Sequence, residues 1–128
     1  MSLKKINVAV IGATGYVGLD LIKILANHPK VNISYLCAQR NLGKNIQFFD
    51  KRIKKKLPKI SNTKYINWSK LDLVFTSLPT GESQSLIKKL IDYKNLKIID
   101  LSADFRLRDP NLYKQFYGKK HQSKNLIN

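Results

Sequence analysis

Three regularly spaced glycines, in Gly12-Ala13-Thr14-Gly15-Tyr16-Val17-Gly18, mark the stretch of sequence best suited to chemistry. That chemistry is anion binding. A pyrophosphate must approach backbone N–H groups at a helix N-terminus, where a Cβ would block it and the helix dipole favours negative charge. The last glycine lets the helix pack closely on the preceding strand. The spacing is G-x-x-G-x-x-G rather than the commoner G-x-G-x-x-G, so its specificity rests on context: a strand must lead in and a helix must lead out. Without that context the glycines would serve a tight turn and nothing more.

Dinucleotide sites that take NAD commonly carry Asp or Glu about 20 residues further on, holding a ribose 2′-hydroxyl. Here that stretch reads Cys37-Ala38-Gln39-Arg40-Asn41, with no acid, and Asp50 is the first carboxylate after it. Arg40 stands where a 2′-phosphate would lie, and a guanidinium pairs with phosphate through two hydrogen bonds. The pattern points to NADP; the competing reading is an arginine solvated in a loop. Further along, Leu101-Ser102-Ala103-Asp104-Phe105-Arg106-Leu107 gathers a hydroxyl, a carboxylate and a guanidinium. Ligands bind where parallel strands end. Taken alone, however, this segment reads as a turn in which Asp104 and Arg106 satisfy backbone groups or each other.

The elements that must position these residues follow from periodicity. Ile6 to Ile11 is a β-branched run of the kind that forms a buried strand. From Tyr16 to Asn27, Val17, Leu21, Ile24 and Leu25 fall on one helical face, widened by Leu19, Ile22 and Ala26, and Pro29 ends the helix. Val31 to Cys37 returns to strand-like alternation. Arg40 to Lys70 is polar and basic, read as an exposed loop or hairpin with short strands. Leu71 to Leu78 is another apolar strand, closed by Pro79. Thr80 is the expected N-cap of a helix from Gly81 to Tyr93 with Leu86, Ile87, Leu90 and Ile91 inward. Lys97 to Leu101 is the next strand, and Asp109-Pro110 opens a short helix that Gly118 stops. Strands alternating with helices predict an α/β fold, doubly wound and Rossmann-like, with a mainly parallel sheet. The polar tail from His121 to Asn128 offers no closing strand, so the chain is expected to continue.

Composition narrows the classes. In 128 residues, 24 Lys+Arg against 8 Asp+Glu give a net charge of +16, and 43% of the residues are hydrophobic, enough for a core. Only Arg40, Arg52, Arg106 and Arg108 are arginines; the lysine excess, together with abundant Ile and Asn, matches A/T-rich codon usage better than a nucleic-acid footprint. A single cysteine allows no internal disulfide. Cys37 with His28 and His121 makes no spaced zinc motif, so no metal is expected. No apolar run approaches the ~20 residues of a membrane span, and a cytoplasmic location is expected.

At this point the residues resemble a known family. Ile99-Asp100-Leu101-Ser102-Ala103-Asp104-Phe105-Arg106-Leu107-Arg108-Asp109-Pro110, followed by Tyr113 and Tyr117-Gly118-Lys119-Lys120-His121, looks like N-acetyl-γ-glutamyl-phosphate reductase, a relative of aspartate-semialdehyde dehydrogenase. Gly12 to Gly18, His28-Pro29, Gly43-Lys44 and Val74 to Pro79 fit the same family in order. The resemblance implies NADPH-dependent reduction of N-acetyl-glutamyl 5-phosphate to the 5-semialdehyde, with release of phosphate, in arginine biosynthesis. It implies a cysteine nucleophile that forms a thioester and a histidine that handles protons, both expected downstream of Asn128. Cofactor contacts carry over to Gly12, Thr14, Gly15, Tyr16, Val17, Gly18 and Arg40, with Leu78 and Pro79 toward the nicotinamide. Ser102 and Asp104 match a family motif near the active site. The family usually has hydroxyl side chains ahead of the arginine; Ala38 departs from that and weakens the NADP preference Arg40 suggests. Cys37 matches an adenosine-side position and reads as a small buried residue. His121 reads as a surface-loop histidine, and His28 as a partner of the carbonyls that end the first helix.

Residues 1–128 are therefore expected to form the NADP-binding domain of a longer two-domain reductase. The catalytic α+β domain lies elsewhere, the fragment is inactive alone, and the full-length protein is a homo-oligomer. Three readings compete. One is a related reductase acting on a carrier-bound aminoadipyl or glutamyl phosphate, and another is a nucleotide-binding module without chemistry. The third is nonspecific nucleic-acid binding through Lys51 to Lys59, against which no recognition helix, RNP aromatic pair or zinc site accompanies the run.

Overall fold

The structure is a computed structural model and describes residues 4–79 and 81–101. Five strands form one sheet: β1 (Ile6–Ile11), β2 (Val31–Cys37), β3 (Ile60–Ser61), β4 (Leu73–Thr76) and β5 (Lys97–Asp100). The spatial order is β3-β2-β1-β4-β5, and every pairing is parallel. The expected α/β fold is borne out. Helix α1 (Tyr16–Ala26) joins β1 to β2, and α2 (Glu82–Leu90) joins β4 to β5.

The central strand shows why this arrangement is stable. Val8 and Val10 point into one apolar cluster, with Ile22 and Leu25 of α1 and Ile33 of β2. Ala9 and Ile11 point into the other, with Val74 and the partly buried Leu86 of α2. Alternate residues thus feed opposite faces, and a strand covered on both sides needs the near-continuous apolar run that β1 has.

Four expectations are corrected. Val17 and Ile24 do not face the sheet; they are 43% and 66% exposed. The buried residues of α1 are Gly18, Ile22, Leu25 and Ala26. Close approach at Gly18 turns the helix, so its inner face starts from the glycine rather than from the bulkiest side chains. Ile91, expected inward, is 47% exposed because α2 ends at Leu90. Strands β4 and β5 are likewise shorter than their apolar runs.

The fourth correction concerns residues 40–70, which are neither wholly exposed nor a hairpin. Ile46, Ile53 and Ile60 are buried with α1 and β2, and β3 pairs parallel with β2. The loop is braced from within. Gln47 Nε2 donates to the Ile53 and Lys55 carbonyls at 3.0 and 2.9 Å. Arg52 donates through Nε and Nη2 to the two oxygens of Asp50, at 2.9 and 2.8 Å. This pairing holds the Asp50 carboxyl down at about 2. The expected N-cap Thr80 and the helix expected from Asp109 to Gly118 lie outside the described residues.

Candidate dinucleotide-binding site

The glycine turn sits where β1 ends and α1 begins, at the carboxyl edge of the sheet. The Cys37 carbonyl accepts the amides of both Gly12 and Ala13, each at 2.9 Å. The turn is thereby anchored to the end of β2, and Ala38, Gln39 and Arg40 leave from beside it. On its other flank the Ser77 amide donates to the Ile11 carbonyl at 2.8 Å, bringing the end of β4 alongside.

The three glycines have different reasons to be glycine. Gly12 has φ +85°, and a Cβ there would overlap the Ser77 carbonyl. At Gly18 a Cβ would overlap the Gly12 carbonyl. Those two are demanded by the fold. Gly15 is not: its φ of −76° suits any residue, and the nearest atom to an added Cβ is the Gly12 oxygen at 3.8 Å. Gly15 is the N-cap of α1 and makes no side-chain capping bond. A helix leaves the N–H groups of its first turn without intrahelical partners, and here Gly15, Tyr16 and Val17 are exposed at that end while Gly18 is buried. A bare helix N-terminus reached past a glycine that packing does not require fits a phosphate. Tyr16 is 93% exposed beside it, and Thr14 is half-buried.

A cleft of about 410 Å³ opens over the carboxyl ends of the strands. Its apolar lining includes Ile11, Ala38, Leu78 and Leu86, and Gln39, Asn62 and Glu82 stand among its polar residues. An apolar slot with a few polar groups is the usual form of a small-molecule site. Gln39 Nε2 donates to Glu82 Oε1 at 2.7 Å, joining the loop after β2 to the start of α2. Arg40 is exposed. Leu78 lines the cleft, and Pro79, the next residue, is exposed. Ser102, Asp104 and His121 lie outside the described residues.

Beneath the start of α2, Asp100 Oδ1 accepts from Thr76 Oγ1 at 2.7 Å and from Ser83 Oγ at 3.2 Å. Thr76 and Ser83 are fully buried, so β4, β5 and α2 are tied together where the cleft needs them fixed. Neither this network nor the Gln39–Glu82 contact had a signal in the sequence, because the partners are 17 to 43 positions apart.

Cys37 is 1% exposed. Burial pushes its thiol up to about 11, against a small opposing effect of Ser61 Oγ at 3.8 Å. A thiol so held is not a nucleophile at neutral pH, in keeping with the buried role expected of it. His28 uses its ring differently from the expectation: Nδ1 accepts the Lys30 amide at 3.1 Å, while the backbone N–H donates to the Leu25 carbonyl. Among the described residues no group of three or more His, Cys, Asp or Glu could hold a metal, and no helix is long and apolar enough to cross a membrane.

Parallel order β3-β2-β1-β4-β5, with the glycine turn at its central strand, defines a nucleotide-binding α/β domain of the Rossmann kind. The chain belongs to the semialdehyde dehydrogenase NAD-binding domain family, whose model matches residues 7–123. That family takes a nicotinamide cofactor. Among curated relatives, N-acetyl-gamma-glutamyl-phosphate reductase of Ehrlichia canis (strain Jake) is 46% identical over 116 residues, covering 89% of this chain and 33% of that protein. The same-named protein of Rhodospirillum rubrum is 39% identical over 127 residues, covering 96% and 36%. The resemblance read from the sequence is borne out. The chain spans about a third of the length of these relatives. Among solved structures, aspartate semialdehyde dehydrogenase with NADP from Candida albicans superposes with a TM-score of 0.63 at 24% identity, over 79% of this chain and 30% of that one. At that identity the likeness is one of fold.

Proposed function

We propose that this chain is the NADPH-holding domain of a longer reductase that converts N-acetyl-glutamyl 5-phosphate to N-acetyl-glutamate 5-semialdehyde and releases phosphate. The observation that carries the reading is the uncovered N-terminus of α1 behind Gly15, in a chain 46% identical to a reductase of that name. Gly12, Thr14, Gly15, Tyr16, Val17 and Gly18 take the pyrophosphate through backbone amides, and Arg40 takes the 2′-phosphate. Leu78 and Pro79 flank the nicotinamide end, with Ser102 and Asp104 supporting the active site. Bound there, the nicotinamide supplies hydride to an acyl group presented by the rest of the enzyme. Cys37 cannot be the nucleophile, since it is buried and its proton is held. The nucleophile therefore belongs to another part of the protein, and this chain alone reduces nothing. The full-length enzyme is a cytoplasmic homo-oligomer in this reading.

The test is a fluorescence titration of the chain with NADPH, beside Arg40→Ala. Saturable binding that the substitution weakens by about tenfold, the worth of one charge-assisted contact, is the expected result. Equal binding by both proteins would remove Arg40 from the site.

A further inference from the structure

We propose that Glu82 is a second ribose-recognising residue of the cleft and that it lets the site accept NADH as well as NADPH. The inference rests on the dinucleotide reading above and concerns which 2′-substituent the site selects. Gln39 occupies the stretch just past β2 where NAD-binding domains carry an acid. The sequence has no acid there. The fold nevertheless delivers one: Glu82, 43 positions on, has Oε1 2.7 Å from Gln39 Nε2, and both side chains line the cleft.

Glu82 is well held for such a role. It is the first residue of α2, where the helix dipole suits a carboxylate. Its backbone N–H donates to the Pro79 carbonyl at 3.1 Å, and the next residue, Ser83, is tied to Asp100 at 3.2 Å. The carboxylate oxygen that now accepts from an amide can accept equally from a ribose hydroxyl. A 2′-phosphate offers it no comparable donor and meets it as a like charge.

The opposing side of the balance is weak. Arg40 is exposed and, among the described residues, no hydrogen bond or ion pair braces it. Ala38, which lines the cleft, brings no hydroxyl to a phosphate. Lys89 lies on the same face of α2 as Glu82, but seven residues along, or ~10 Å at 1.5 Å per residue. It addresses the far end of the cleft.

The experiment is a parallel titration of NADPH and NADH, followed by cofactor fluorescence, with the wild-type chain, Glu82→Gln, Glu82→Lys and Arg40→Ala. Circular dichroism melts of each variant verify folding; Glu82 is exposed, so its variants are expected to fold. The wild type should bind the two cofactors within about tenfold of each other, and Glu82→Gln should weaken NADH by about tenfold without weakening NADPH. Glu82→Lys should move the ratio further toward NADPH, and Arg40→Ala should move it the other way. An unchanged NADH-to-NADPH ratio in both Glu82 variants, or a wild type that binds NADPH alone, overturns this assignment and leaves the dinucleotide reading standing. A folded wild type that binds neither overturns the dinucleotide reading, and the role of Glu82 with it.

Discussion

At Gly18 and Gly15 the same residue type answers to different constraints, and substitution separates them. Alanine at 18 would drive a methyl into the Gly12 carbonyl, forcing α1 off β1. Overpacking of this kind costs about 1–3 kcal/mol. Gly18→Ala is thus expected to lower the urea midpoint of unfolding with little change in slope, and a midpoint equal to wild type would show that α1 does not pack as described. Gly15 has room for the methyl, so its absence there serves something other than packing. The sequence motif showed three glycines in a strand–turn–helix context; it could not show which of them the fold needs. Arg40 and Glu82 illustrate the complementary limit. Arg40 was legible because its distance from the glycine turn is nearly constant in such domains. Glu82 was not, because it reaches Gln39 and the cleft from a helix on the other side of the central strand.

At the scale of elements, strands β1 and β2 and helix α1 could be read almost to the residue, since each pairs a clean period with a sharp boundary at Gly12, Pro29 or Cys37. The inner face of α1 differs from the one its hydrophobic pattern predicts. Hydrophobicity pointed to Val17 and Ile24, whereas close backbone approach at Gly18 decided the rotation. Residues 40–70 were hardest because Ile46, Ile53, Ile60 and Ile66, all buried, are spaced by loops rather than by a helical or strand period. The loop is held instead by polar contacts, which predicts a pH dependence. Pairing with Arg52 lowers the Asp50 carboxyl from 3.8 to about 2 in the folded chain. A carboxyl lowered by folding stabilises the native state above its unfolded pKa, and that contribution fades as pH falls from about 4 toward 2. Asp50→Asn should therefore be less stable than wild type at pH 7, with the gap closing across that window in urea titrations. A gap that stays constant from pH 7 to pH 2 would contradict the pairing.

Among the described residues the molecule is a five-stranded parallel sheet with its polar machinery along one edge. The glycine turn, Arg40, the Gln39–Glu82 contact and the Thr76–Asp100–Ser83 network all gather at the carboxyl ends of the strands, where open α/β sheets bind ligands. The only cysteine, Cys37, is sealed into the sheet. Under the proposed function, cofactor binding is the property that this chain shows by itself, whereas turnover draws on groups beyond it. The charge of +16 makes salt a necessary control, because nonspecific attraction of an anionic nucleotide weakens as ionic strength rises. The most direct measurement is NADPH binding to wild type and Gly15→Ala at 0.15 M salt, with thermal unfolding of both recorded alongside. An alanine N-cap should lower stability by no more than about 1 kcal/mol, while a methyl in front of the α1 amides should weaken NADPH by about tenfold or more. Equal NADPH affinity in the two folded proteins would contradict the claim that this helix N-terminus holds the cofactor.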